Sequence, residues 1–342
     1  MPRSVLIVEA VCAGAFREPG GDPPPASWRR EGRAMLAALV GDLATFDDLR
    51  VTALWDRLPE PPPQIPNVVW QDRTALPFAD QVVSAAGAQD RTLLIAPETE
   101  GLLASLVAQV RQTGAAIANS SLEAIRLTTD KFALAAHLTA HGVPTIPTGE
   151  AVRLNPPRLS DGWSFPLVIK PRDGAGSQGL RRVDNLSAWE RTSLSTGDIV
   201  QPWLVGEALY IATIIPDEGP VAMTLLPPAR QRISPDGNGL YLGGELPADE
   251  VPIELVELLA RAAIASVPGL RGYIGCDIVW PEGAPEPLLC EINPRLTTSF
   301  VGYRELYGPA LARALVLGEP FARPSTRKRV AFTAAGEVTR LA

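Results

Sequence analysis

Histidine and cysteine are scarce in this 342-residue chain, which has two histidines (His137, His141) and three cysteines (Cys12, Cys276, Cys290). No CxxC pair occurs, so a zinc or iron–sulfur site lacks ligands and any metal must be held by oxygen. Long apolar runs are missing too. The run Val5-Leu-Ile-Val8 is too short for a signal-peptide core and is interrupted by Glu9, and no later stretch approaches the ~18 apolar residues of a membrane span. A cytoplasmic location with reduced thiols is expected. Nor is there a basic excess: 31 Lys and Arg face 38 Asp and Glu, a net charge of −7. That balance gives no field for nucleic-acid phosphates or an anionic membrane, so neither is an expected partner. With 46% apolar and 20% charged residues, the chain is too hydrophobic to stay disordered, and its length allows two or three packed units.

Proline is plentiful at 34 residues and concentrates in tracts at 19–25 and 59–66, which read as loops. Around them, strand-like residues 5–8, 51–55 and 93–96 alternate with helical apolar spacing at 28–43 and 102–112, pointing to a parallel sheet flanked by helices. A helix over 128–141, ended near Gly142 and Pro144, leads into a different texture. Strand candidates there are 165–170, 180–183, 199–203, 208–215, 221–226, 273–280 and 288–292, with a short helix at 187–195 and one helix at 252–266. The second half therefore reads as α+β with antiparallel hairpins.

The segment FPLVIKPRDGAGSQGL (165–180) contains a literal GxGxxG, but LRRV follows it as a strand rather than a helix, so a Rossmann site does not fit and the glycines sit at a hairpin tip. Backbone N–H groups around Gly176, Ser177, Gln178 and Gly179 can cradle phosphates, with Lys170 adding a positive charge. A plain glycine-rich hairpin with a solvated lysine would look the same. In GYIGCDIVW (272–280) and PLLCEINPR (287–295), alternation puts Glu291 and Asn293 on one face. A hairpin symmetric about Ala284 sets Asp277 opposite Glu291. Opposed acids need a cation between them, and two carboxylates with an amide oxygen are hard ligands suited to Mg²⁺; two solvated acids near a turn are the plainer reading. Between these segments, the strand carrying Gln201, Trp203 and Leu204 can read an adenine edge, and Glu207 can accept from ribose hydroxyls, although a core strand capped by a surface glutamate fits equally. Lys131 opens a helix whose N-terminus can face phosphate, or is simply solvated. His137 and His141, without a third ligand, read as surface residues.

Taken together, Lys131, Lys170 with its glycine-rich loop, residues 201–207, and Asp277, Glu291 and Asn293 occur in the order that resembles the ATP-grasp superfamily, over roughly residues 5–317. The resemblance implies ATP between two α+β subdomains: phosphates on Lys131 and Lys170, adenine along 201–204, ribose on Glu207, and Mg²⁺, with Mn²⁺ as an alternative, on Asp277, Glu291 and Asn293. Pro202 removes one hinge donor, so adenine donors must come from Trp203 or Leu204. It further implies an N-terminal parallel α/β domain (1–118), a central and lid subdomain (119–199), a C-terminal antiparallel α+β subdomain (200–325) and a tail (326–342).

Within that superfamily the chain resembles carboxylate–amine ligases, most of all the branch that includes tyramine–glutamate ligase of coenzyme biosynthesis. The motifs that prompt this are IAPETEG (95–101), ARQRI (229–233), YLGG (241–244) and NPRLTTS (293–299). This implies small-molecule acid and amine substrates joined through an acyl phosphate, a homodimer being common in such families. Arg295 is the candidate for stabilising the acyl phosphate, and Arg230 and Arg232 for gripping a substrate carboxylate. A phosphotransferase on the same scaffold, a ligase using another amino acid such as lysine, and a non-catalytic nucleotide-binding protein are the competing readings.

Overall fold

The computed structural model describes residues 2–17, 22–56, 58–154, 163–174, 179–234 and 239–341. The N-terminal part contains β1 (Arg3–Glu9), α1 (Ala26–Leu43), β2 (Leu49–Trp55), β3 (Val68–Asp72), α2 (Phe78–Ala86), β4 (Arg91–Ile95) and α3 (Leu102–Gln112). Its strands form the expected parallel sheet, in the order β3-β2-β1-β4. Sequence pattern missed β3 and α2, because β3 is only half-buried and alternates poorly. The described parts of the proline tracts are tied to α1: Arg29 forks onto Glu60 and also bonds the Pro24 carbonyl, while Arg33 bonds that of Pro61.

Next come α4 (Leu122–Thr129) and α5 (Lys131–Ala140), then β5 (Gly149–Glu150), β6 (Leu167–Pro171), β7 (Arg181–Val183), α6 (Leu186–Glu190) and β8 (Asp198–Pro202). These four strands make a small antiparallel sheet, β5-β8-β6-β7, over a core that includes Trp189, Leu167 and Val200. The single helix expected over 128–141 is broken at Asp130, whose carboxylate accepts from the N–H groups of Phe132 and Ala133 and so starts α5 afresh. The helix expected over 187–195 ends at Glu190.

The remaining elements are β9 (Gly206–Ile215), β10 (Thr224–Leu225), β11 (Ala229–Ile233), β12 (Tyr241–Leu246), α7 (Ile253–Ser266), β13 (Gly272–Pro281), β14 (Leu288–Asn293), α8 (Phe300–Tyr307), α9 (Pro309–Leu317), β15 (Arg329–Thr333) and β16 (Val338–Leu341). They build a large sheet in the order β14-β13-β9-β11-β12-β15-β16, antiparallel throughout, with β10 beside β9. The strand expected over 221–226 shrinks to two residues after a 3₁₀ turn at Pro220–Ala222. Residues 329–341 are not a tail: β15 pairs with β12 and buries Val330 and Phe332. Nor does the 119–199 unit stand apart, since α4 and α5 supply Ala124, Leu134 and Leu138 to the core under α7 and the large sheet.

Between the parallel sheet and the large sheet lies one continuous core. Leu36, Leu39 and Val51 from the N-terminal part share it with Tyr210, Phe300, Tyr303 and Leu311. Among the described residues, no helix is long and apolar enough to cross a membrane.

Candidate active site

The β13–β14 pairing sets Asp277 directly opposite Glu291 and Gly275 opposite Asn293, so both acids and the amide share one face. The symmetric hairpin fails one step further on, where Ile278 pairs with Leu289 and leaves Cys290 as a bulge. Asp277 takes hydrogen bonds from Asn293 Nδ2 (2.8 Å) and Gln231 Nε2 (2.7 Å). Burial, then the charge of Glu291, pushes the Asp277 carboxyl well above the carboxylate range. Glu291 goes the other way: burial would raise it, but Lys131 and Lys170 hold it ionised.

Those lysines arrive from separate elements. Lys131 is the first residue of α5, oriented by the Asp130 cap, and its ammonium lies 3.2 Å from Glu291 Oε2 and bonds the Gly174 carbonyl of the glycine-rich hairpin. Asp130 is itself gripped by Arg172, which lies over the Phe132 ring at 5.1 Å. Lys170, near the end of β6, is buried deeply enough to lower its pKa, an effect that Glu291 opposes and Lys131 reinforces. The structure thus gathers Lys131, Lys170, Asp277, Glu291 and Asn293 at one place. Gly179 closes the hairpin at φ +71°, where a Cβ would press on the Pro171 ring at 3.0 Å. Gly176, Ser177 and Gln178 lie outside the described residues.

The other expected residues are distributed differently. Arg295 is 15% exposed and ion-paired with Glu98, its Nε and Nη2 at 3.0 and 2.9 Å from Oε2. The field of nearby Glu291 helps keep it charged, but burial first and Glu98 second are the larger influences. Gln201 is buried with its amide on Thr148 Oγ1 (2.8 Å); the register sets it opposite Val168, on the face of the small sheet that carries Lys170 and away from the core of Leu167, Ile169 and Val200. The N–H of Trp203 donates to the Pro166 carbonyl (3.0 Å), which leaves Leu204 as the remaining adenine donor of the two expected. Glu207 pairs with Arg230 at 2.8 Å. Arg230 also meets Glu250 (3.1 Å), and its row, Arg230–Leu209–Ile278, alternates with the row Ala229–Tyr210–Asp277. Arg230 therefore points away from the acid pair. Arg232 donates to the Phe332 carbonyl at 3.3 Å, and its charge acts on Tyr241 together with those of Asp277 and Glu31.

Gln231 and Glu98 were not assigned roles from sequence. Strand alternation carried the signal for Gln231, since it must face opposite to Arg230 and Arg232, on the side of Asp277. Glu98 had no such signal, because its partner Arg295 is 197 residues away. His137 and His141 stack on each other at 4.2 Å and bond backbone carbonyls.

Two carboxylates and an amide on one half-buried face, beside two ammonium groups, form an oxygen donor set that fits a hard divalent cation completing its shell with phosphate oxygens. Comparisons with known proteins agree with that geometry. A family model described as "ATP-grasp domain" matches residues 128–299, half of the chain, and a "pre ATP-grasp 3 domain" model matches residues 49–125. A tyramine–L-glutamate ligase of Methanocaldococcus fervens (strain DSM 4213 / JCM 15782 / AG86) is 26% identical over 227 residues, covering 66% of this chain and 65% of that relative. The match thus spans just under two thirds of the relative's length. An ATP-grasp superfamily protein from Archaeoglobus fulgidus superposes with TM-score 0.70 at 24% identity, covering 97% of this chain and 92% of that one. The N5-carboxyaminoimidazole synthetase from Staphylococcus aureus, complexed with ADP, superposes with TM-score 0.69 at 13% identity, covering 97% and 82%. The chain belongs to the ATP-grasp domain family.

Proposed function

We propose that this chain is an ATP-dependent, ADP-forming carboxylate–amine ligase. The observation that carries the reading is the convergence of Lys131, Lys170 and the glycine-rich hairpin on the Asp277–Glu291–Asn293 face. A carboxylate is a poor electrophile. In the reaction, a carboxylate oxygen forms a bond to the γ-phosphorus as the bond to ADP breaks; the amine nitrogen then bonds to the acyl carbon, losing a proton, and phosphate leaves. The protein's part is alignment and charge neutralisation. Lys131 and Lys170 take the phosphates, the N–H of Leu204 reads adenine, and Glu207 holds the ribose once it exchanges Arg230 for that partner. Asp277, Glu291 and the Asn293 amide oxygen would hold Mg²⁺, which supplies charge neutralisation to the triphosphate. Arg295, held by Glu98 and within the field of Glu291, would stabilise the acyl phosphate.

The curated relatives are named for tyramine and L-glutamate, and that pair is the substrate reading we adopt, in a coenzyme-forming role. The test is release of ADP by the purified chain with MgATP, L-glutamate and tyramine, each omitted in turn, with product mass recorded. The reading expects ADP and an amide only when both substrates are present. A phosphorylated acid accumulating as the stable product without amine would make the chain a phosphotransferase instead.

A further inference from the structure

Glu98 takes no part in the chemistry above beyond fixing Arg295, yet the fold carries more than that role needs. It lies just past the carboxyl end of β4, in the turn before α3, where Glu100 takes φ 55° and Gly101 φ 69°. Such backbone is uncommon for glutamate and persists where its surroundings hold it. Here the surroundings are the cleft itself: the Glu100 N–H donates to Asp173 Oδ2 (3.1 Å) beside the glycine-rich hairpin, while Glu98 Oε2 receives Arg295. Glu98 is 6% exposed, and its other oxygen, Oε1, is buried without a donor among the described residues. A buried acceptor left unmet is destabilising. The described residues leave that oxygen short of a donor.

Neighbouring charge says which kind. Glu31, on α1, accepts from Thr298 Oγ1 and is near enough to join Glu98 in keeping Arg295 charged against the effect of burial. Glu9, at the end of β1, lies in the field of Glu31 and accepts the N–H groups of Val11 and Cys12. Among the described residues, Glu98 is the one of these three acids that forms an ion pair with an arginine or lysine. Arg33 and Arg232 lie in the same field, but among the described residues neither forms an ion pair with Glu9 or Glu31, and Glu98 Oε1 lacks an N–H donor; a primary ammonium provides both charge and donor.

We infer that Glu98, backed by Glu31, determines specificity by receiving the ammonium group of an amino-acid substrate whose reacting carboxylate lies toward Arg295. The inference rests on the ligase reading and narrows its acid to one that carries a free ammonium. An acid lacking that group leaves Glu98 Oε1 unmet and is rejected for that reason.

ADP release with tyramine is compared for L-glutamate and glutarate, the same diacid without the ammonium, in the wild type, Glu98→Gln and Glu31→Gln. The wild type is expected to prefer glutamate at least tenfold in kcat/KM. That ratio falls to near one in Glu98→Gln and partway in Glu31→Gln, which keeps the Arg295 ion pair. If Glu98 merely positions Arg295, Glu98→Gln slows both acids equally and the ratio stands, which overturns the inference. A wild type indifferent to the ammonium overturns it too, while leaving the ligase reading intact. Should glutamate be inert, the same comparison is made for each amino acid and its des-amino analogue; ADP release from no acid–amine pair defeats the ligase reading and this inference with it. Should Glu98→Gln fail to fold, Glu31→Gln and calorimetric binding of glutamate against glutarate to the wild type decide, equal affinities overturning it.

Discussion

Lys170 and Glu291 face each other across the junction of the small and large sheets, and neither belongs to a hydrophobic core. Lys170→Ala and Glu291→Ala are each expected to abolish ADP release while leaving the circular-dichroism spectrum unchanged; near-normal turnover in either would refute its role. The Asp277–Glu291 opposition was legible only in outcome: the pairs beside the turn, Val279–Leu288 and Ile278–Leu289, would by symmetry set Asp277 opposite Cys290, and the Cys290 bulge, which nothing in the residue types marks, brings Glu291 there instead. Charge pairs between distant segments were equally invisible, and one has a measurable signature. Arg91 forks onto Asp217 at 2.7 and 2.8 Å, and that bonding holds the Asp217 carboxyl below its ordinary range. A lowered folded-state pKa gives stability that is present above the unfolded value near 3.9 and is lost as pH falls through the lowered one. Asp217→Asn should therefore lower stability at pH 7 by less than about 1 kcal/mol given its exposure, seen as a lower melting temperature. The difference should vanish in strong acid; melts across the acid range check the sign.

At the scale of elements, apolar periodicity located the helices that cover a sheet with one face, α1, α3 and α7, to within two residues. It failed where local hydrogen bonding competes with the pattern. Residues 128–141 keep a helical apolar spacing through Asp130, yet its side chain replaces the backbone as acceptor and divides α4 from α5. That division aims Lys131 at Glu291 from the first turn of α5. Asp130→Ala is expected to cost about 1–2 kcal/mol of stability through the lost cap, and to raise the KM for ATP because Lys131 loses its fixed start. Asp130→Asn, which retains a capping oxygen, should recover most of the stability; melting curves and ATP kinetics on the two variants separate the effects. The hairpin of β15 and β16 escaped notice because it follows a proline- and arginine-rich stretch and its partner, β12, lies more than eighty residues upstream.

Over the whole molecule, the parallel and antiparallel halves were legible from texture, but their union was not. One core runs from Leu36 and Val51 to Phe300 and Leu311, and polar ties cross the same boundary: Asp42 to Arg304, Asp48 to Arg313, Glu98 to Arg295. Asp42 is 2% exposed, so Arg304→Ala leaves a buried carboxylate without its cation, expected to cost about 2–3 kcal/mol. The loss should appear as a lower midpoint of a single unfolding transition; separate transitions for the two halves would contradict a shared core.

The proposed activity requires a phosphoryl group to pass from ATP to a carboxylate in the cleft built on Asp277 and Glu291. The most direct measurement is turnover of L-glutamate labelled with ¹⁸O in its carboxylates, in the presence of tyramine and MgATP, with the released phosphate analysed by mass. One labelled oxygen in each phosphate is the expected result. Unlabelled phosphate, with ADP still released, would mean that the acid never accepts the phosphoryl group, and would contradict it.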